Sequence, residues 1–201
     1  MVKILLTAFD PFGGESINPA SIAVYRTHEC AGAEIVRLTV PTVFGKSIKT
    51  VTDAVKECSP DAVIMVGQAG GRRSVTVERV AVNKMDASIA DNEGNIPKNQ
   101  KVIEGGDDEL YATLPIDDIV SAIRDGGVDA DVSDSAGTFV CNQLMYGVLD
   151  MLRRELPYTV AGFIHVPFMP EQAKNGTPSM ELDKMVTALD IAVETVCEKI
   201  K

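Results

Sequence analysis

The sequence predicts one α/β domain built on a mostly parallel sheet. Three observations carry that prediction. Apolar strand-like runs alternate with stretches of helical periodicity over residues 3–67, the pattern of right-handed βαβ units. The strand-like runs are continuous rather than two-faced, as strands buried on both sides are. The chain has 201 residues, 45 % of them hydrophobic, which suffices for one sizeable core.

The elements follow in order. KILLTAF (3–9) is a buried strand that ends in the turn DPFGG. Asn18 and Pro19 read as an N-cap with proline in the first turn, opening a helix to about residue 28. EIVRLTV (34–40) is a second strand, stopped by Pro41, and residues 44–58 repeat apolar positions at helical spacing up to Ser59 and Pro60. DAVIMVG (61–67) is a third strand. SVTVERVAVN (74–83) alternates, so it reads as one strand with an exposed face, and residues 84–115 are a long polar connection or hide a hairpin. A short helix spans 116–127, and 128–135 lead into a helix that starts close to Cys141. TVAGFIHVPF (159–168) is a further strand, and Thr177 and Pro178 open a long C-terminal helix. One domain over 1–201, without internal repeats, is the expectation.

Composition removes several function classes. Nineteen basic against twenty-nine acidic residues leave a formal charge of −10, without the clustered Lys and Arg that nucleic acid requires. No stretch approaches the ~20 apolar residues of a membrane-spanning helix. The start, MVKILLTAFD, is too short for a signal peptide. Cys30, Cys58, Cys141 and Cys197 form no CxxC pair, and two histidines without metal-ligand spacing argue against a metal site. The expectation is a cytoplasmic protein with reduced thiols and no cofactor.

Cys141 stands where an apolar-periodic helix begins. A thiol there feels the positive end of the helix dipole, beside free N–H groups that can receive an oxyanion. The competing reading is a small hydrophobe in the core. His165, near the end of an apolar strand, is the candidate base, since strand carboxyl ends collect catalytic groups in α/β sheets. A satisfied core histidine is its bland reading, and His28 at a polar helix end reads as solvated or capping. For a carboxylate that orients the imidazole, Glu78, Asp91 and Glu93 all remain open, with Glu78 also readable as the outer side of an edge strand paired with Arg79. VGQAGGR (66–72) lacks both phosphate-loop patterns, so it reads as a turn admitting substrate to backbone amides. Phe9 and Phe12 are core residues or walls of a small apolar pocket.

TAFDPFGGESINPA, VGQAGGR, VTVERVAVN, DNEGNIP, SAGTFVCNQLMYG and FIHVPFMPEQ occur in an order that resembles the pyroglutamyl peptidase I (pyrrolidone-carboxylate peptidase) family from residue 3 to about 172. The resemblance implies a three-layer α/β/α sandwich, a homotetramer, and a cysteine exopeptidase acting on pyroglutamyl peptides. It implies a triad of Glu78, Cys141 and His165, an aromatic wall of Phe9, Phe12 and Phe139, and substrate contacts at Gln68 and Val140. It also implies an oxyanion site at the Cys141 backbone N–H. The chain departs from the family pattern at DASIADN, where DARIPDN is common, so Ser88 stands at an arginine position tied to the oxyanion and Ala90 at a proline position. Gln143 likewise replaces the histidine of CNH. Two rivals follow: a catalytically weak or silent member acting as a binding protein, and a related thiol hydrolase of small amides. A nucleotide-binding module ranks behind both.

Overall fold

In the computed structural model, which describes residues 1–200, the predicted beginning holds element by element. β1 (Val2–Phe9), β2 (Ala33–Val40) and β3 (Ala62–Gln68) are joined by α1 (Pro19–Arg26) and α2 (Lys46–Cys58). β1 lies between β2 and β3, parallel to both. Asn18 caps α1 by accepting the Ala20 N–H at 3.0 Å, and α2 stops at Ser59, whose φ of 46° is left-handed. The remaining elements are β4 (Val75–Glu78), β5 (Val80–Val82), β6 (Glu109–Tyr111), α3 (Ile116–Asp125), β7 (Ala130–Ser133), α4 (Val140–Glu155), β8 (Val160–Val166) and α5 (Leu182–Lys199).

The main sheet runs β2-β1-β3-β8-β4-β7. β4 pairs antiparallel with β8 and parallel with β7, so this last pair of strands opposes the other four. The sheet is mostly parallel and the architecture is a three-layer α/β/α sandwich, as expected. Alternate residues of each strand feed two cores. Ile4, Leu6, Ile64, Val66, Val75, Val77, Ile164 and Val166 pack with α1, α3 and α5. Leu5, Phe9, Val63, Met65, Ala161 and Phe163 pack with α2 and α4.

Three expectations need correction. Residues 74–83 are two strands in two sheets, β4 in the main sheet and β5 paired with β6. The break falls at Arg79, whose N–H donates to Ser133 O at 2.7 Å while its carbonyl accepts from Ala112 N at 3.0 Å. β4 is neither an edge strand, since it lies between β8 and β7, nor exposed on a face, since all four of its residues are buried, and its alternation separates two buried environments. Residues 128–135, read only as a lead-in, contain β7. The C-terminal helix begins at Leu182 rather than at Thr177–Pro178, since Met180 N donates to Phe168 O at 2.8 Å and holds the intervening chain extended.

The long connection is ordered from within. Asn83 accepts from Val102 N at 2.8 Å and Ile103 N at 3.0 Å and donates to Ile103 O at 2.9 Å. Among the described residues no helix is long and apolar enough to cross a membrane.

Candidate active site

The site starts from strand register. β4 and β8 place Thr76 opposite His165 and Glu78 opposite Phe163. Directly opposed residues share a face, so all four look toward α4 while their neighbours fill the other core. Glu78 is 0 % and His165 3 % exposed. His165 Nδ1 meets Glu78 Oε1 at 2.7 Å. The same oxygen accepts from Arg72, which follows the glycine-rich turn after β3 and also donates to Thr76 Oγ1.

Burial raises the Glu78 carboxyl, but its partners, first the His165 hydrogen bond, then the Ser133 hydroxyl and the Arg72 charge, hold the group below its ordinary value. Burial also pushes His165 down, against the bond and charge of Glu78 that raise it. Glu78 is therefore the ionised member of the pair. An ionised carboxylate only accepts, so His165 carries its proton on Nδ1 and leaves the Nε2 lone pair free.

Cys141 is the second residue of α4, whose N-cap residue Phe139 makes no side-chain cap bond. Its half-buried thiol lies 3.2 Å from where a Cβ on Gly67 would stand, and Gly67 is the lateral partner of His165 in the β3–β8 register. Burial, then the Glu78 charge, push the thiol up to about 12, with Arg72 and the Cys141 backbone opposing. At rest the sulfur keeps its proton.

Aromatic rings gather at the α4 N-terminus. Phe139 stands 6.0 Å from Phe12 and 5.3 Å, edge-on, from Phe44. Phe9 is buried in the core, 6.3 Å from Phe163, which in turn lies 4.7 Å from His165. Val140 is fully buried. Gln68 at the end of β3 accepts from Gln172 Nε2 at 3.1 Å, and Gln172 Oε1 accepts from Met169 N at 3.1 Å. A backbone N–H can only donate, so this chain of bonds fixes both amides and leaves the Gln68 NH₂ as a donor. Sequence reasoning missed Phe44, although an apolar residue just past the carboxyl end of a parallel strand was the available signal.

The long connection is tied to this end of the sheet. Thr138 and Asp86 exchange two hydrogen bonds, at 3.0 and 2.8 Å, beside Phe139. Asp91 accepts from Phe44 N at 2.9 Å and from Asn95 N at 2.9 Å. Asp10 accepts from Thr42 N at 2.7 Å and Asn92 Nδ2 at 3.1 Å. Gln143 accepts from Gly45 N at 3.0 Å and turns its NH₂ to Met85 Sδ, so it braces α4 against the start of α2.

The other sequence candidates lie elsewhere. Asp91 is spent on backbone amides, Glu93 pairs with Lys46, and His28 pairs with Asp190 at 2.7 Å. Ser88 is exposed. Among the described residues no three His, Cys, Asp or Glu side chains gather as a metal site.

The family model for pyroglutamyl peptidase matches residues 2–199. A pyrrolidone-carboxylate peptidase of Lactobacillus helveticus is 50 % identical over 196 residues, covering 96 % of this chain and 98 % of that protein. One from Clostridium perfringens is 46 % identical over 97 % of this chain and 93 % of its own length. The crystal structure of Bacillus amyloliquefaciens pyroglutamyl peptidase I superposes with a TM-score of 0.96 at 46 % identity, covering 100 % of this chain and 99 % of that one.

Two outcomes follow from this geometry. A Cβ on Gly67 would stand 2.8 Å from the Phe163 ring and 3.2 Å from the Cys141 sulfur. Gly67→Ala should therefore cost about 1–3 kcal/mol in chemical denaturation and displace the thiol, and unchanged stability would contradict the packing. Acidification should also destabilise the fold. Below about 6.5, the ordinary histidine value, the unfolded chain takes up a proton that buried His165 refuses. Glu78 adds a loss in the same direction below its ordinary value of 4.5. The thermal midpoint should fall between about pH 7 and pH 5, and His165→Gln should flatten that window.

Proposed function

Because the chain belongs to the pyroglutamyl peptidase family, and is a cysteine peptidase of the pyroglutamyl peptidase I type, we propose that Cys141, His165 and Glu78 hydrolyse the amide bond after an N-terminal pyroglutamyl residue through an acyl-enzyme. The observation that carries this reading is the buried Glu78–His165 pair, 2.7 Å apart, beside the Cys141 thiol at a helix start.

The thiol is protonated at rest, so the nucleophile forms as it reacts. His165 Nε2 takes the Sγ proton while sulfur attacks the pyroglutamyl carbonyl carbon. The electron pair of the C=O bond moves to oxygen, which the Cys141 N–H and the positive end of α4 receive. Glu78 stabilises the imidazolium so formed and holds its orientation. Collapse of the tetrahedral adduct re-forms the carbonyl and breaks the C–N bond. The imidazolium proton passes to the departing amine, leaving a thioester. Water then gives a proton to His165, its oxygen attacks the thioester carbon, and the thiol departs with that proton as pyroglutamate is released.

Specificity rests on what pyroglutamate lacks. It is a flat, neutral lactam without a free amine, so it needs apolar walls and hydrogen bonds rather than a counter-charge. Phe12, Phe44 and Phe139 form the wall, with Phe9 and Val140 packed behind it. The Gln68 NH₂, held as a donor, suits the lactam carbonyl. A site whose donors are left unpaired by the wrong residue discriminates strongly against it.

Release of a fluorescent amine from pyroglutamyl-aminocoumarin tests the reading. Cys141→Ser should lower kcat/KM by about 10⁴-fold or more. Ser88→Arg, restoring charge where the connection passes the α4 N-terminus, should raise it by roughly 10²-fold. A folded, reduced wild type that releases nothing from this substrate or from pyroglutamyl peptides would sink the proposal. Cleavage of simple pyroglutamyl amides without cleavage of peptides would point to a small-amide hydrolase instead.

A further inference from the structure

Arg72 is placed to act on the proposed triad without touching substrate. Gly71, at φ 87°, takes the left-handed turn that brings the next residue back over the sheet. The Arg72 guanidinium then spans two parts of the site. Nη1 donates to Glu78 Oε1 and Thr76 Oγ1, and Nη2 donates to Ser135 O at 3.0 Å, in the loop that enters α4. Three of the five N–H donors of the guanidinium are committed in this way to the carboxylate, its neighbour and the loop before α4.

The partnering of Glu78 falls almost wholly on one oxygen. Oε1 is shared by His165, Arg72 and, at 3.4 Å, the Thr76 hydroxyl, whereas Oε2 has no hydrogen-bond partner among the described residues. Ser133, opposite Glu78 in register, turns its hydroxyl to Ser135 O at 3.2 Å and, being neutral, helps to lower the carboxyl without balancing its charge. While His165 is neutral, Arg72 is therefore the cation that balances a carboxylate with no exposed surface. When His165 becomes imidazolium, two cations compete for one oxygen.

We propose that Arg72 is a positioning residue that holds Glu78 charged at rest, keeps His165 from retaining a proton, and ties the carboxylate to the loop that leads into the helix of Cys141. This rests on the triad proposed above. Its electrostatic part follows from sign alone, because a cation beside an imidazole disfavours the imidazolium and its removal favours it. The titratable groups facing His165 are Glu78 from β4, Cys141 from α4 and Arg72 from the turn before β4. On the far side of β4, Asp131 is held by Ser74 and Arg124, and Asp134 by Arg79. β3 presents Gly67 to His165 and adds no charge.

The test is a pH profile read in two ways on the full chain. One readout is kcat/KM on pyroglutamyl-aminocoumarin, and the other is iodoacetamide alkylation of Cys141 resolved from the other cysteines by peptide mass. Arg72→Gln should move the acid limb of both upward by about one pH unit. Arg72→Lys, which keeps the charge without the fork, should leave the limb in place and lower the rate across the profile. A purely structural role would lower the rate in Arg72→Gln with the limb unmoved, and that result overturns the proposal. Should Arg72→Gln fail to fold, a limb displaced upward in Arg72→Lys would overturn it instead. An alkylation limb that shifts in a protein with no peptidase activity would uphold Arg72 and reject the substrate reading.

Discussion

A carboxylate with no exposed surface must be met by positive partners or give up its charge, and Glu78 imposes that condition on everything around it. Its partners come from separate parts of the chain: His165 on β8 and Arg72 on the turn after β3. Removing one partner of such a buried pair typically costs about 3–5 kcal/mol, because the remaining charge is stranded. The reversal of strand direction at β4 is what makes the pairing possible. Antiparallel to β8, β4 sets Thr76 and Glu78 opposite His165 and Phe163, all facing α4. A one-residue slip would turn Val75 and Val77 toward the site and drive Glu78 into the apolar core on the other side.

The same logic explains the polar residues of the long connection. A polar segment crossing an apolar pocket has backbone groups that need partners. Asp91 and Asn83 supply them, each collecting several N–H groups at once, while Asp10 ties the Asn92 side chain to Thr42. Asp91 fastens the backbone of Phe44, and the Thr138–Asp86 exchange fastens the residue before Phe139. The aromatic wall is thus positioned by hydrogen bonds to the chain on either side of its rings. Gln143 and Asn142 extend that bracing to the first turn of α4, Asn142 by accepting from Val82 N at 2.8 Å and donating to Lys84 O at 3.0 Å. Around these residues the site is a set of loops pinned to a rigid sheet.

The electrostatics divide the labour unequally. Low polarity around the thiol keeps it protonated, and the same low polarity keeps His165 neutral and receptive. A sulfur and an imidazole that are both neutral at rest store no ion pair, and in the proposed mechanism charge separation is confined to the moment of attack. On that proposal Glu78 supplies the compensation, which requires its own charge to be maintained beforehand.

Local sequence determined a good deal of this protein. The alternation of apolar runs with helical periodicity, the Asn18 cap and the stop at Ser59 depend on neighbours within a few residues, and the structure reproduces them. Cys141 at a helix start and His165 at a strand's carboxyl end were legible for the same reason. Read from the residues alone, however, Glu78, Asp91 and Glu93 were equivalent, and only resemblance to a known family favoured the first. Tertiary structure separated them by bringing Glu78 across 87 positions to His165 while committing Asp91 to backbone amides. It also split residues 74–83 between two sheets, drew a strand from 130–133, and joined Phe44 to the aromatic wall. Periodicity and capping are written in adjacent residues, whereas strand direction, cross-strand register and the loss of water around a charge exist only once distant segments have packed.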